Sequence, residues 1–85
     1  MKLSSNIAFN QINENEIKVL KLDDDNNVYT LEKSVAHVFE LISKEKSTQE
    51  INSDIKSKLP SKSENEVSAF VKDTIEEFKK LGFFE

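Results

Sequence analysis

The sequence predicts an α+β fold in which a three-stranded antiparallel sheet is followed by three helices. Two observations support this. Apolar and polar residues alternate in the manner of strands as far as Leu31, and apolar residues recur at helical spacing after it. Two serines, Ser47 and Ser63, each stand three residues before a glutamate, which is typical of a helix N-terminus. Strands that precede helices in this way indicate an α+β domain.

The strand half contains three candidate strands, at residues 7–11, 16–22 and 28–31. The third one, Val-Tyr-Thr-Leu, combines residue types that favour strands. Asn13-Glu14-Asn15 predicts the first turn, and residues 23–27, all Asp or Asn, predict a longer hairpin loop, because these residues tolerate positive φ. The three aspartates suggest calcium, but the loop lacks the Gly and the distal Glu of an EF-hand, so we interpret it as a solvated turn.

The helical half begins without a loop, because residues 33–43 show helical spacing directly after the third strand. The cap of this first helix is weak, since Glu32 is not a favoured N-cap residue. The second helix starts at the Ser47 capping box and ends at Pro60. The third starts at the Ser63 box and ends near Gly82, which suits a left-handed cap, after which Phe83-Phe84 folds back onto the core. Its broad apolar face consists of Val67, Phe70, Val71, Thr74, Ile75, Phe78 and Leu81.

Length and composition limit the classes of function. Eighty-five residues form one domain over residues 1–85. The absence of cysteine excludes disulfides and thiol chemistry. No apolar run approaches the roughly 20 residues of a membrane span, and the N-terminus lacks the apolar segment of a signal peptide, so we expect a cytoplasmic protein without a membrane partner.

Candidate catalytic chemistry is sparse. His37 is the one histidine, and on a helical wheel it lies opposite Val35, Phe39 and Ile42, so we expect it to be solvated. There is no Gly-rich phosphate loop, and no serine has an obvious base partner. We therefore expect a binding module that is not an enzyme and needs neither a metal nor a cofactor.

Three strands beside three helices also form a winged helix-turn-helix, so a DNA-binding or transcriptional regulator is the alternative. In that fold the third helix would enter the major groove. Residues 64–77 contain five acidic side chains and one basic side chain, a net charge of -4 that phosphates would repel. The whole chain also carries a net charge of -4, so we expect no specific binding to nucleic acid.

The order of elements and several short motifs resemble the PqqD-like family, whose fold recognises the precursors of ribosomally made, post-translationally modified peptides. The family pattern has a Tyr-x-Leu-Asn strand end, an apolar helix, a Thr-containing cap with Glu-Ile, and a Leu-Gly-Leu-aliphatic end. The matching segments run from about residue 7 and are Tyr29-Thr30-Leu31, residues 38–42, residues 47–51 and residues 81–84. The chain departs from the pattern at Glu32, where Asn is preferred, at Lys44, where Gly is frequent, and at Phe70, where Asp is frequent.

The resemblance implies a mechanism. A leader peptide would add as a strand beside the third strand and pack between that strand and the last helix, and a separate modifying enzyme, most commonly a radical-SAM maturase, would act on it. Such β-augmentation draws affinity from the unpaired groups of an edge strand. The residues implied in peptide binding are Val28, Tyr29, Thr30 and Leu31 on the strand and Glu66, Phe70, Asp73, Thr74 and Glu77 on the helix.

Overall fold

Three strands and three helices follow one another in the predicted order, which confirms the α+β fold class. The computed structural model describes residues 2–22 and 27–85. The three aspartates and Asn26 of the loop that we interpret as a solvated turn lie outside the described residues. The elements are β1 (Ile7–Asn13), β2 (Glu16–Lys21), β3 (Val28–Glu32), α1 (Lys33–Ser43), α2 (Thr48–Lys58) and α3 (Glu64–Lys80).

The sheet is antiparallel with the order β1-β2-β3, so β1 and β3 are its two edges. Val19 in the central strand is opposite Phe9 on one side and Tyr29 on the other. Because side chains alternate between the faces of a sheet, Ile17, Val19 and Leu31 share the face that packs on the helices, and all three are buried. The register between β1 and β2 shifts between Gln11 and Asn13, which marks a bulge in β1.

The helix starts follow the capping chemistry. The Ser47 hydroxyl accepts from the Glu50 N–H at 3.1 Å, and the Glu50 carboxylate accepts from the Ser47 N–H at 3.0 Å. Ser63 and Glu66 form the same box at the start of α3, with both distances 3.1 Å. Both predicted boxes are confirmed. Glu32 makes no side-chain hydrogen bond at the start of α1, as expected for a weak cap.

The core is organised around three fully buried aromatic rings, of Phe39, Phe78 and Phe83. The Phe39 ring meets the other two edge-on, with centroid distances of 5.8 and 6.0 Å. Gly82 has a φ of 79°, a left-handed conformation that glycine adopts without strain, and the turn it makes brings Phe83 under the sheet. Leu3 pairs with Phe84, so the C-terminal residues also tie down the N-terminal segment. The predicted return of the C-terminus onto the core is confirmed.

Three large apolar residues of the predicted strands are exposed, namely Phe9, Leu22 and Val28. Leu22, assigned to the second strand from the sequence, follows β2 and is 61% exposed. Phe9 is 47% exposed because β1 is an edge, although its ring meets the Phe39 ring edge-on at 5.1 Å. Within the described residues, no helix has the length and apolar character needed to cross a membrane.

Candidate functional site

The direction of the backbone groups in β3 follows from two hydrogen bonds at its ends. The Lys21 N–H donates to the Asn27 carbonyl at 3.4 Å, and the Lys33 N–H donates to the Asn15 carbonyl at 2.7 Å. Both pairs continue the β2–β3 register without a shift, because in every opposite pair of this register the two residue numbers add up to the same total. In an antiparallel pair, hydrogen-bonded and non-hydrogen-bonded residue pairs alternate. The two end bonds therefore determine, for every residue of β3, whether its backbone groups face β2 or the open edge.

The residues of β3 therefore fall into two alternating sets. Tyr29 and Leu31 exchange hydrogen bonds with β2, and their side chains point to the core face. Val28 and Thr30 direct their N–H and C=O groups, and Glu32 directs its N–H, away from β2 and toward the open edge of the sheet. The Glu32 carbonyl, at the N-cap of α1, accepts the first hydrogen bond of the helix. An extended segment placed at this edge can satisfy the outward groups, which is the requirement for strand addition.

Helix α3 leaves room beside this edge. No Cα atom of α3 lies within 8 Å of a Cα atom of β3, whereas neighbouring strands in a sheet are only about 4.8 Å apart. At one end the two elements are bridged by the Tyr29 and Phe83 rings, whose centroids are 5.3 Å apart and which meet edge-on. The Phe83 N–H donates to the Phe78 carbonyl at 3.0 Å, so this bridge is fixed to the end of α3.

At the other end lies a groove of about 500 Å³, where the start of α3 faces the β3–α1 junction. Its floor is mainly apolar and includes Leu59 and Phe70, and Ser34 forms the wall just past the end of β3. Lys62 and Glu66 line it as well and supply one charge of each sign. We call this the apolar groove; it is completed by Val67 and Ala69. Such a surface suits an apolar side chain of an extended peptide.

The structure brings some of the nine implied residues together and separates others. Glu66 and Phe70 both line the apolar groove. Asp73 and Glu77 continue the same flank of α3 and are exposed. Thr74 is 8% exposed, its hydroxyl donates to the Phe70 carbonyl at 2.8 Å, and it does not line the groove, so it belongs to the core side of α3.

The four implied strand residues are also divided. Leu31 is 7% exposed and belongs to the core, and Tyr29 is half-buried against Phe83. Val28 and Thr30 are exposed on the outer face of the sheet, where the Thr30 hydroxyl accepts from the Lys18 ammonium at 2.7 Å. What these residues can offer a peptide is therefore mainly the outward backbone groups of Val28 and Thr30.

The charge of Glu66 is held by the capping box. The backbone N–H of Ser63 lowers the pKa of the Glu66 carboxyl, and the Ser63 hydroxyl and Lys62 lower it further, against a small opposing effect of burial. Glu50 in the box of α2 has its pKa lowered in the same way, by the Ser47 N–H first. The groove thus keeps a carboxylate at its rim to a more acidic pH than an unperturbed glutamate would.

Sequence reasoning missed a second concave region, on the other side of Ser34 and Leu59. This polar cleft has a volume of about 590 Å³ and contains Lys33, His37 and Lys58. His37 is half-buried there, so the expectation of a solvated histidine is met only in part: the turn between β1 and β2 and the end of α2 line the same cleft as the face of α1 that carries it. The remaining lining residues are Gln11, Glu14, Asn15 and Glu40.

One similar solved structure is described as TbiB1 in complex with the TbiA(beta) leader peptide. The two chains superpose with a TM-score of 0.89 at 20% sequence identity, over 100% of this chain and 95% of that chain. At this level of identity the similarity shows a common fold. No model of a protein family matches the chain, and no curated protein matches it. Within residues 2–22 and 27–85, no group of three or more His, Asp or Glu side chains is placed to hold a metal ion.

Proposed function

We propose that this protein is a non-enzymatic module that captures the leader of a ribosomally made precursor peptide by strand addition and presents it to a separate modifying enzyme. The observation that carries the proposal is that the backbone N–H groups of Val28, Thr30 and Glu32 point to the open edge of the sheet, which ends next to the apolar groove. Backbone pairing along the edge supplies affinity for any extended segment, and the groove around Phe70 selects an apolar side chain. We also propose that Asp73 and Glu77 contact the bound peptide.

The shared fold supports the same function. TbiB1, which has this fold over nearly its whole length, is described in complex with a leader peptide. The resemblance to the PqqD-like family adds the partner enzyme, of which a radical-SAM maturase is the commonest kind. The complex would form in the cytoplasm, where precursor peptides are made. DNA binding has no observation in its favour, because α3 exposes Asp73, Glu76 and Glu77.

Peptide capture is tested by selection from a displayed library of random linear peptides of about 15 residues, with the intact protein as bait. We expect enriched peptides that share one apolar position, and we expect the same peptides to be lost when the bait carries Thr30→Pro. No enrichment, or binders that are indifferent to Thr30→Pro, would overturn strand addition at β3.

Presentation to an enzyme is tested by the genes beside this one. We expect a short precursor gene and a gene for a modifying enzyme, whose product should act on the precursor faster when this protein is added. A neighbourhood that encodes neither would contradict the presentation half of the proposal and leave the peptide-binding half to the selection experiment.

A further inference from the structure

The apolar groove and the polar cleft are neighbours in the structure. Ser34 and Leu59 line both of them, so the two concavities meet where β3 ends and α1 begins. A strand advances about 3.3 Å per residue, so an added peptide that pairs as far as Glu32 reaches this meeting point within a few residues. The cleft is thus the continuation of the proposed peptide path, and its chemistry differs from that of the groove.

The two lysines of the cleft are not held by carboxylates of the protein. Within the part of the chain that the structure describes, neither Lys33 nor Lys58 is in an ion pair. Glu40 also lines the cleft, but its carboxylate lies 3.7 Å from the Lys44 ammonium, which offsets its charge. Glu14 at the β1–β2 turn is the remaining acid among the lining residues. Of the charged residues in the cleft, Lys33 and Lys58 are therefore the two cations that a carboxylate of a bound peptide can pair with.

Lys33 has an unusual backbone conformation for its residue type. Its φ is 55°, in the left-handed region that glycine adopts readily and a long side chain adopts at a cost. The hydrogen bond from its N–H to the Asn15 carbonyl holds the backbone in this conformation. Glycine would satisfy the same geometry, so the backbone gives no reason for a lysine here. A residue kept against its conformational preference beside a binding path points to a role of the side chain.

We propose that the bound peptide continues beyond the end of β3 into the polar cleft, and that an acidic side chain of the peptide pairs there with Lys33 and Lys58. The inference rests on the proposed function and deepens it by naming the chemistry of the ligand: an extended segment with an apolar anchor for the groove and a carboxylate a few residues away. Groove and cleft together fix the register of the peptide along the edge, which backbone pairing alone leaves free to slide.

The test is a parallel selection from the displayed library described above, on the wild-type protein and on a Lys33→Asn/Lys58→Gln variant. Asparagine tolerates the left-handed backbone and removes the charge. We expect wild-type binders to share an Asp or Glu at a constant short spacing from the apolar anchor. Binders of the variant should keep the anchor and lose the acidic preference.

The two levels of the proposal fail differently. Wild-type binders with an anchor and no acidic preference would overturn the role of the cleft and leave strand addition standing. A selection without enrichment would overturn the proposed function, and this inference with it.

Affinity measurements with one selected peptide, synthesised with acetylated and amidated ends so that only side chains supply charge, give the magnitude. We expect the double variant to bind about tenfold more weakly, since exposed ion pairs contribute little singly and two act on one carboxylate here. Lys56→Gln is the matched control, because it removes a charge from the same last turn of α2 and lies outside the cleft. Equal losses in Lys56→Gln and Lys58→Gln would reduce the effect to overall charge and overturn the proposal.

The variant Lys33→Gly distinguishes a role of Lys33 in binding from a merely structural role. Glycine relieves the left-handed backbone, so the melting temperature should not fall, while affinity for the selected peptide should fall about threefold or more. An affinity equal to that of the wild type would overturn the role of this side chain.

Discussion

The two edges of the sheet differ in ways that decide which of them can accept a peptide. In β1 the register with β2 is regular from Ile7 to Gln11 and shifts at a bulge before Asn13, and six of the seven residues of the strand are exposed. In β3 the register with β2 is regular from Val28 to Glu32, and the apolar groove adjoins its end. Natural sheets protect their edges from unwanted pairing with bulges, charges or short strands. One edge here ends in a bulge, and the other is regular to its last residue and has an apolar groove next to its end.

The comparison shows that an open edge alone does not define a binding site. Phe9 on β1 and Phe70 near β3 are both partly exposed aromatic residues. The Phe9 ring meets the core ring of Phe39 at 5.1 Å, and Phe9 lines a concavity of about 280 Å³ on the sheet. Phe70 packs against the core and lines the apolar groove beyond the end of β3. Selectivity for one peptide requires a side-chain pocket beside the backbone groups, and this combination is present at β3.

Removal of one outward donor from β3 should have the largest effect. Thr30→Pro deletes an N–H that points to the open edge and places a ring in the path of an added strand. The partner carbonyl of the peptide is then left unsatisfied, which costs roughly 2 kcal/mol, so we expect at least about thirtyfold weaker binding of a library-selected peptide in titration calorimetry.

Thr30→Val is the matched control. It keeps the N–H and gives up only the hydroxyl, which accepts from Lys18 at an exposed site. We expect affinity within about twofold of the wild type. A similar loss in both variants, with folding confirmed by circular dichroism, would mean that the side chain of Thr30 and not its backbone N–H contacts the peptide.

The two partly exposed aromatics should respond in opposite ways. Phe70→Ala removes the ring from the groove, where covering it contributes about 2 kcal/mol, and should weaken peptide binding by at least about tenfold. Phe9→Ala removes an edge-on contact with Phe39 and should lower the free energy of unfolding by about 1 kcal/mol without changing affinity. Urea denaturation and calorimetry on both variants make the measurement. Unchanged affinity in a folded Phe70→Ala protein would move the binding surface away from this groove.

Amide hydrogen exchange compares the edges without mutation. In the complex with a selected peptide, the outward amides of Val28, Thr30 and Glu32 should exchange at least about tenfold more slowly than in the free protein, because each gains a hydrogen bond. The outward amides of Phe9 and Gln11 on β1 should be unaffected. Protection of the β1 amides instead would reverse the assignment of the edges.

Local chemistry in the sequence was sufficient for much of the fold. The two Ser-x-x-Glu boxes, the direct passage from strand to helix at Lys33 and the glycine cap at Gly82 depend on neighbours within a few residues, and all are present in the structure. The sequence did not allow us to predict which backbone groups of β3 face the open edge, because alternation of side chains predicts a strand without indicating which amides face its partner. That depends on the register with Lys21 and Asn15.

The polar cleft was missed for a related reason. Gln11, Lys33 and Lys58 belong to three different elements, and only tertiary packing places them around His37. The available signal was a lysine at the strand–helix junction, where the chain has no loop to absorb the turn. A wheel of α1 alone treats every residue opposite the core as solvated, so it could not detect that another element covers His37.

The smallest effect concerns the carboxylate at the rim of the groove. Glu66 and Glu50 occupy equivalent capping boxes, and in both the serine N–H lowers the pKa of the carboxyl in the folded protein. A lowered folded pKa stabilises the protein fully above the ordinary glutamate pKa, and this contribution is lost as pH falls through the lowered value. The stability differences between wild type and Glu66→Gln, and between wild type and Glu50→Gln, should therefore both shrink as the solution is acidified through that range.

Only Glu66 lines the groove beside β3, so only Glu66→Gln should also change peptide affinity, by less than about threefold, because charge interactions at an exposed rim are weak. Equal affinity changes in the two variants, measured by calorimetry at neutral pH, would show that the effect comes from helix capping and not from the rim.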